Sequence, residues 1–125
     1  MSKQKTIAFD LDDVICFRSN EYEHLGPDKY DKCIPNQSVI DIVNSLYQSG
    51  NEIIIYTARG MSQYKGDVEQ VYKNLYEKTK CHLNNWGVFY HKLVMGKMHY
   101  DVLIDDKALN SININKENIE KFLYE

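Results

Sequence analysis

Apolar positions along the chain change their period several times, and each change marks an element. Thr6-Ile-Ala-Phe is a short strand-forming run that stops at Asp10, so Lys5 to Asp10 is predicted to be a first, buried strand. From Val14 to Gln37 no period is sustained, and Gly26-Pro27 and Pro35-Asn36 break the segment. It reads as a long excursion, a short hairpin or flap, leaving the carboxyl edge of the first strand. Loops of this length in a small domain are usually functional or disordered; this one hangs from an aspartate cluster, which favours function. Helical spacing returns at Val39, Ile42, Val43 and Leu46 and predicts a helix over Ser38–Ser49, capped by Asn36 or Ser38 and stopped by Gly50-Asn51. Glu52-Ile-Ile-Ile-Tyr56 is apolar on both faces, as in a covered parallel strand, and Thr57-Ala58-Arg59-Gly60 ends it. A long helical pattern then runs from about Gln63 to Asn85, through Val68, Val71, Tyr72, Leu75 and Leu83, and Trp86-Gly87 closes it. Val88 to Met95 fits a third, irregular strand. Tyr100-Asp-Val-Leu-Ile104 fits a fourth, running into Asp105-Asp106. Asn115 is a capping candidate for a last helix over Lys116–Tyr124.

Strand, helix, strand, helix, strand predicts an α/β fold: one Rossmann-like, doubly wound parallel sheet over residues 1–125, with the excursion at about 16–37. Such sheets bind ligands at the carboxyl ends of their strands. Asp10, Asp12, Thr57, Lys97 and Asp105 all fall at, or just beyond, such ends.

Composition narrows the class. At 125 residues, with 43% hydrophobic and 26% charged, the chain suits one compact soluble domain. A net charge of −3 gives no reason to expect nucleic acid, which wants a basic face. No apolar run approaches the roughly 18–20 residues of a membrane span, and Met1-Ser-Lys-Gln-Lys leads into a strand, so no membrane partner and a cytoplasmic setting are expected. Cys16, Cys33 and Cys81 are odd in number and lack C-x-x-C spacing, which suggests idle thiols rather than a disulfide framework or a zinc knuckle. Ten scattered tyrosines read as amphipathic filler.

The chemistry concentrates at Asp10-Leu-Asp12-Asp13. Three carboxylates this close repel one another, so the cluster points to a cation, and the two-residue spacing of Asp10 and Asp12 lets both face one side as the strand ends. A calcium loop starting at Asp10 would need an oxygen ligand at position 5 and glycine at position 6, where Val14 and Ile15 stand. An Asp-x-Asp pair also serves nucleotide-sugar transferases, but this chain is too short for that donor domain. Mg²⁺ fits better. It would screen carboxylate from phosphate while Asp10 attacks phosphorus, with Lys97 and the Thr57 hydroxyl and backbone on the other phosphoryl oxygens. Asp12 would then protonate the leaving alkoxide and later deprotonate the attacking water. Asp105 would complete the metal shell, and Asp106 would bind through a metal water or fix Lys97.

Taken together, Phe9-Asp10-Leu11-Asp12-Asp13, Tyr56-Thr57-Ala58-Arg59, Gly96-Lys97 and Ile104-Asp105-Asp106 resemble, in order and spacing, the four motifs of the haloacid dehalogenase superfamily of phosphatases. The resemblance implies Asp10 as nucleophile and Asp12 as general acid/base whose carbonyl also binds metal. It implies Thr57 and Lys97 as phosphate binders, with Ala58 and Arg59 in the same motif, and Asp10, Asp12, Asp105 and Asp106 around Mg²⁺. Arg59 reads equally as a substrate contact or a surface arginine. Asp13 stands where glycine is frequent, a change the family also shows. The span from Arg59 to Gly96 leaves no room for a large cap, so a small capless type is implied, with homo-oligomerisation open. Gly96 to Ala108 is similar to small phosphatases associated with capsule and lipopolysaccharide sugar synthesis, which implies a phosphorylated sugar or similar metabolite. A mononucleotide or nucleic-acid end phosphatase is the rival enzyme reading. A receiver-like phosphoacceptor domain is the rival of another class, though there the lysine follows the acidic pairs and here Lys97 precedes the last one. Lys92 and Lys107 are fallback lysines, and His24, His91 and His99 read as incidental, a substrate contact by His24 in the flap being the lesser alternative.

Overall fold

The computed structural model describes residues 4–124. Its centre is a three-stranded parallel sheet in a mixed α/β arrangement. The strands are β1 (Thr6–Asp10), β4 (Glu52–Tyr56) and β5 (Lys92–Val94), in the order β1-β4-β5. A small antiparallel ribbon, β2 (Cys16–Phe17) with β3 (Ile34–Pro35), brackets the excursion. Helices α1 (Gln37–Gln48), α2 (Val68–Asn85) and α3 (Lys116–Tyr124) complete the chain.

β4 takes the middle because both its faces are apolar: Ile53 and Ile55 are fully buried and Ile54 partly so. The helix α1 buries Val39, Ile40, Val43 and Leu46, so Ile40 joins the core where the spacing had placed Ile42, which is only partly buried. Asn36 occupies its N-cap position, but its side chain donates to the Val14 carbonyl instead of capping. The second helix starts at Val68, five residues later than its periodicity suggests. Residues 63–66 are turns, and Asp67 caps the helix by accepting the Gln70 N–H. Asn115 likewise accepts the Asn118 N–H at the start of α3. The excursion is held rather than loose. Residues Asn20–Lys32 are wound in 3-10 turns, and Lys78 of α2 ties them down through Asp28 and Asp31.

The fourth strand is absent. Residues 100–104 are irregular, and Ile104 is 92% exposed. Tyr100 is held at the carboxyl end of the sheet, its ring 5.2 Å from the Lys97 ammonium, which leaves the segment no strand to run beside in the parallel sense. The third strand also shrinks, from the expected Val88–Met95 to Lys92–Val94.

Gly60 joins sheet and helix in the turn after β4. Its φ is +79°, and a Cβ there would lie 2.5 Å from Leu75 Cδ1 and 3.3 Å from Val71 Cγ2. Left-handed backbone and overpacking each penalise a side chain. Gly60→Ala should therefore destabilise the fold by about 2–4 kcal/mol in urea unfolding; a change below about 0.5 kcal/mol would mean that α2 is free to move away from the turn.

Candidate functional site

Parallel pairing in register sets Asp10 opposite Tyr56 and Tyr56 opposite Val94, so three strand ends stand level. The residues just beyond them become neighbours. The Thr57 N–H donates to the Val94 carbonyl (3.0 Å) and the Lys97 N–H to the Thr57 carbonyl (3.1 Å). This ladder delivers the Lys97 Nζ to 3.3 Å from Asp10 Oδ2, between the rings of Tyr56 and Tyr100. Asp10 Oδ1 accepts the Leu11 N–H at 2.9 Å. Burial raises the Asp10 carboxyl above the usual range, and only in part do the Lys97 charge and hydrogen bond oppose it. Burial would lower Lys97, but Tyr100 and Asp10 outweigh it and hold the ammonium above the ordinary lysine value.

Asp12 faces the other way. After Leu11 the chain turns tightly: the Leu11 carbonyl accepts the N–H groups of Ile15 and Cys16, with Asp13 in the left-handed region at φ +67°. The turn swings Asp12 inward to Arg59. Arg59 Nε lies 3.2 and 3.1 Å from its two oxygens, and Nη2 lies 3.1 Å from Oδ1. Arg59 is 1% exposed, so it is neither a surface arginine nor open to a phosphoryl group in this arrangement. Its Nη1 reaches the Thr79 hydroxyl (3.3 Å) and His82 Nδ1 (2.9 Å), and Tyr30 lies under the guanidinium at 4.8 Å. Tyr30 also fixes the turn, its hydroxyl accepting the Gly60 N–H at 3.0 Å. Burial disfavours the charged guanidinium, yet Asp12 more than restores it and raises the Arg59 pKa.

His82 is a residue the sequence reading passed over. Because the guanidinium can only donate, His82 Nδ1 accepts and its proton sits on Nε2, given to Asp31 Oδ1 at 2.9 Å. Burial lowers the His82 pKa, and Asp31 opposes this only partly. The signal was present in α2: Thr79 and His82 lie three apart on the stripe of Val71, Leu75 and Leu83, where polar groups need a buried partner.

The cysteines of the excursion join the same cluster. Cys16 Sγ is 3.4 Å and Cys33 Sγ 3.7 Å from Asp12 Oδ1. The bond that Cys16 donates to Cys33, together with burial, keeps Cys16 in the thiol form. Asp12, Cys16 and Cys33 have metal-ligand spacing, but Arg59 Nη2 lies 3.8 Å from Cys16 Sγ and already supplies the cation there. For Mg²⁺, which takes hard oxygens, this group is the wrong donor set. The half-exposed Asp10 carboxylate suits it, but Asp105 and Asp106 are not brought to Asp10. Both are exposed, and Asp105 Oδ1 accepts the Lys107 N–H. Thr57 is fully buried, its hydroxyl accepting the Arg59 N–H, and Ala58 is half-buried beside it. The oxygen set of a single chain thus fits Mg²⁺ only in part.

No family model matches the chain, and neither does any curated protein. A crystal structure of a structural-genomics target from Vibrio cholerae is similar to it, with a TM-score of 0.77 and 26% identity over 95% of this chain and 96% of that one. The α/β fold is thus shared with a solved protein. Among the described residues no helix is long and apolar enough to cross a membrane.

Two outcomes follow from the buried pair. Arg59→Met should cost about 3–5 kcal/mol, because it strands Asp12 without its partner; the Asp12→Asn/Arg59→Met double variant should recover part of that loss in denaturant melts. His82 has a folded-state pKa below its unfolded 6.5, so the stability it confers is present above pH 6.5 and is lost as pH falls through the folded value. Melting temperature should fall between about pH 7 and about pH 5 less steeply in His82→Gln than in wild type. Equal slopes would show that His82 is not the titrating group.

Proposed function

We propose that this chain is a phosphomonoester hydrolase with a haloacid-dehalogenase-like core, working through an aspartyl phosphate on Asp10. The observation that carries the reading is the pairing of Asp10 with Lys97 at the level carboxyl ends of a parallel sheet. A nucleophilic carboxylate needs a cation beside it before a dianionic phosphate can approach, and Lys97 supplies one at 3.3 Å.

In this reading an Asp10 oxygen attacks phosphorus, and the bond to the leaving alkoxide breaks as Asp12 gives it a proton. Water then attacks the same phosphorus, Asp12 takes the water proton, and Asp10 departs as carboxylate with inorganic phosphate released. Asp12 therefore has to turn outward from Arg59 to reach the leaving oxygen, and the remaining bonds of Arg59 to Thr79 and His82 hold the guanidinium in place meanwhile. Lys97 and the backbone around Thr57 and Ala58 bind the other phosphoryl oxygens. Mg²⁺, held in part by Asp10, would supply further charge neutralisation at the phosphate. The substrate class we infer is a small phosphorylated metabolite such as a sugar phosphate of surface-polysaccharide synthesis, on the sequence likeness of Gly96 to Ala108.

Release of phosphate from p-nitrophenyl phosphate with Mg²⁺ tests the reading. Asp10→Asn should lose at least about 10³-fold in turnover. Asp12→Asn should accumulate protein heavier by one phosphoryl group after acid quench. Near-normal hydrolysis by Asp10→Asn would remove the nucleophile assignment.

A further inference from the structure

The outer edge of β1 is open. Its inner edge pairs with β4, and among the described residues nothing pairs with the other side. Such an edge is a template for an added strand. The same chain carries a strand-like segment without a sheet. Every residue from Met98 to Ile112 is exposed, and within that run Val102, Leu103 and Ile104 are 73%, 53% and 92% exposed. Three consecutive apolar strand-formers in water are unfavourable, and a continuous apolar run suits a strand covered on both faces.

Edge and segment cannot meet productively inside one chain. Lys97 and Tyr100 are both at the carboxyl end of β1, and His99 is held there by Ser62 at 3.0 Å. A parallel strand would have to begin at the amino end, about 16 Å away over five residues. The link from Lys97 to Tyr100 covers at most about 11 Å. Laid on its own β1, the segment would run antiparallel and carry Asp105 away from Asp10.

We propose that residues 100–104 add as a parallel fourth strand to the open β1 edge of a second copy of this chain, bringing Asp105 and Asp106 beside Asp10 of the partner subunit. Two-fold symmetry makes the exchange reciprocal, so each subunit gives one strand and receives one. The apolar run is then covered, both sheets gain a fourth strand, and the oxygen set around each Asp10 is completed in trans. The role given to Asp105 and Asp106 rests on the phosphatase reading; the strand addition does not.

Light scattering should give twice the 14.7 kDa chain mass. Leu103→Asp should halve that mass with the helical far-UV signal unchanged, because Leu103 is exposed in its own subunit. A monomeric wild type overturns the proposal. With Asp105 level with Asp10, position 103 lies opposite position 8. Ala8→Cys protein mixed with Leu103→Cys protein, both lacking Cys81, should then give a covalent dimer on oxidation, and neither protein alone should. A dimer without that cross-link also overturns it. Dissociated and remixed, Asp10→Asn and Asp105→Asn/Asp106→Asn proteins should regain about a quarter of wild-type hydrolysis, since random pairing leaves one intact site in half of the dimers. A cross-linked dimer without hydrolysis leaves the strand addition standing and removes the phosphatase reading. A hydrolysing monomer does the reverse.

Discussion

The guanidinium of Arg59 is the interaction on which the rest of the molecule depends. It has no access to water, and leaving its charge unpaired in that position costs several kcal/mol. Its satisfaction therefore dictates what surrounds it: Asp12 from the turn after β1, Tyr30 from the excursion, and Thr79 and His82 from α2. Three segments far apart in sequence are fixed by one side chain from a fourth. His82 hands the constraint on to Asp31, and Asp31 to Lys78, so the excursion is stapled to α2 a second time. A buried pair of this kind is poor evidence of net stability, but it defines one geometry and penalises every other.

That geometry separates two carboxylates that stand two residues apart. Asp10 stays at the rim against Lys97, and Asp12 is drawn below it against Arg59. Each has its own cation, so the repulsion between them is offset before any metal is considered. The separation also divides their chemistry. The rim carboxylate is half-exposed and able to meet an incoming group. The inner one is oriented by a bidentate partner and reaches the rim only by exchanging that partner.

Much of this was legible in the sequence, and the failures are physical. The strand at Thr6–Asp10, the buried Glu52–Tyr56 strand and the Asn115 cap follow from local pattern, and local pattern is what decided them. The level strand ends, and hence the meeting of Asp10 with Lys97, follow from parallel topology. Arg59 was misread because one sequence position does not say whether a long cationic side chain turns outward or in. The polar pair Thr79 and His82 on an apolar helix face was the clue that something charged lay beneath. Residues 100–104 have the composition of a strand, and composition cannot say which sheet a strand joins, or whose.

That last point bears on why so small a sheet is left unfinished. Three parallel strands bury little, and parallel sheets normally cover both faces and protect their edges. Here the chain keeps Lys97 and Tyr100 at the rim, where the lysine faces Asp10, with only two residues between them. Holding the lysine there denies the following segment a return path to the amino end of β1. The same short link that positions the cation thus forbids the chain from closing its own sheet in the parallel sense. An open edge and an exposed apolar run are the necessary counterparts of that link, and a second copy of the chain has both in complementary form.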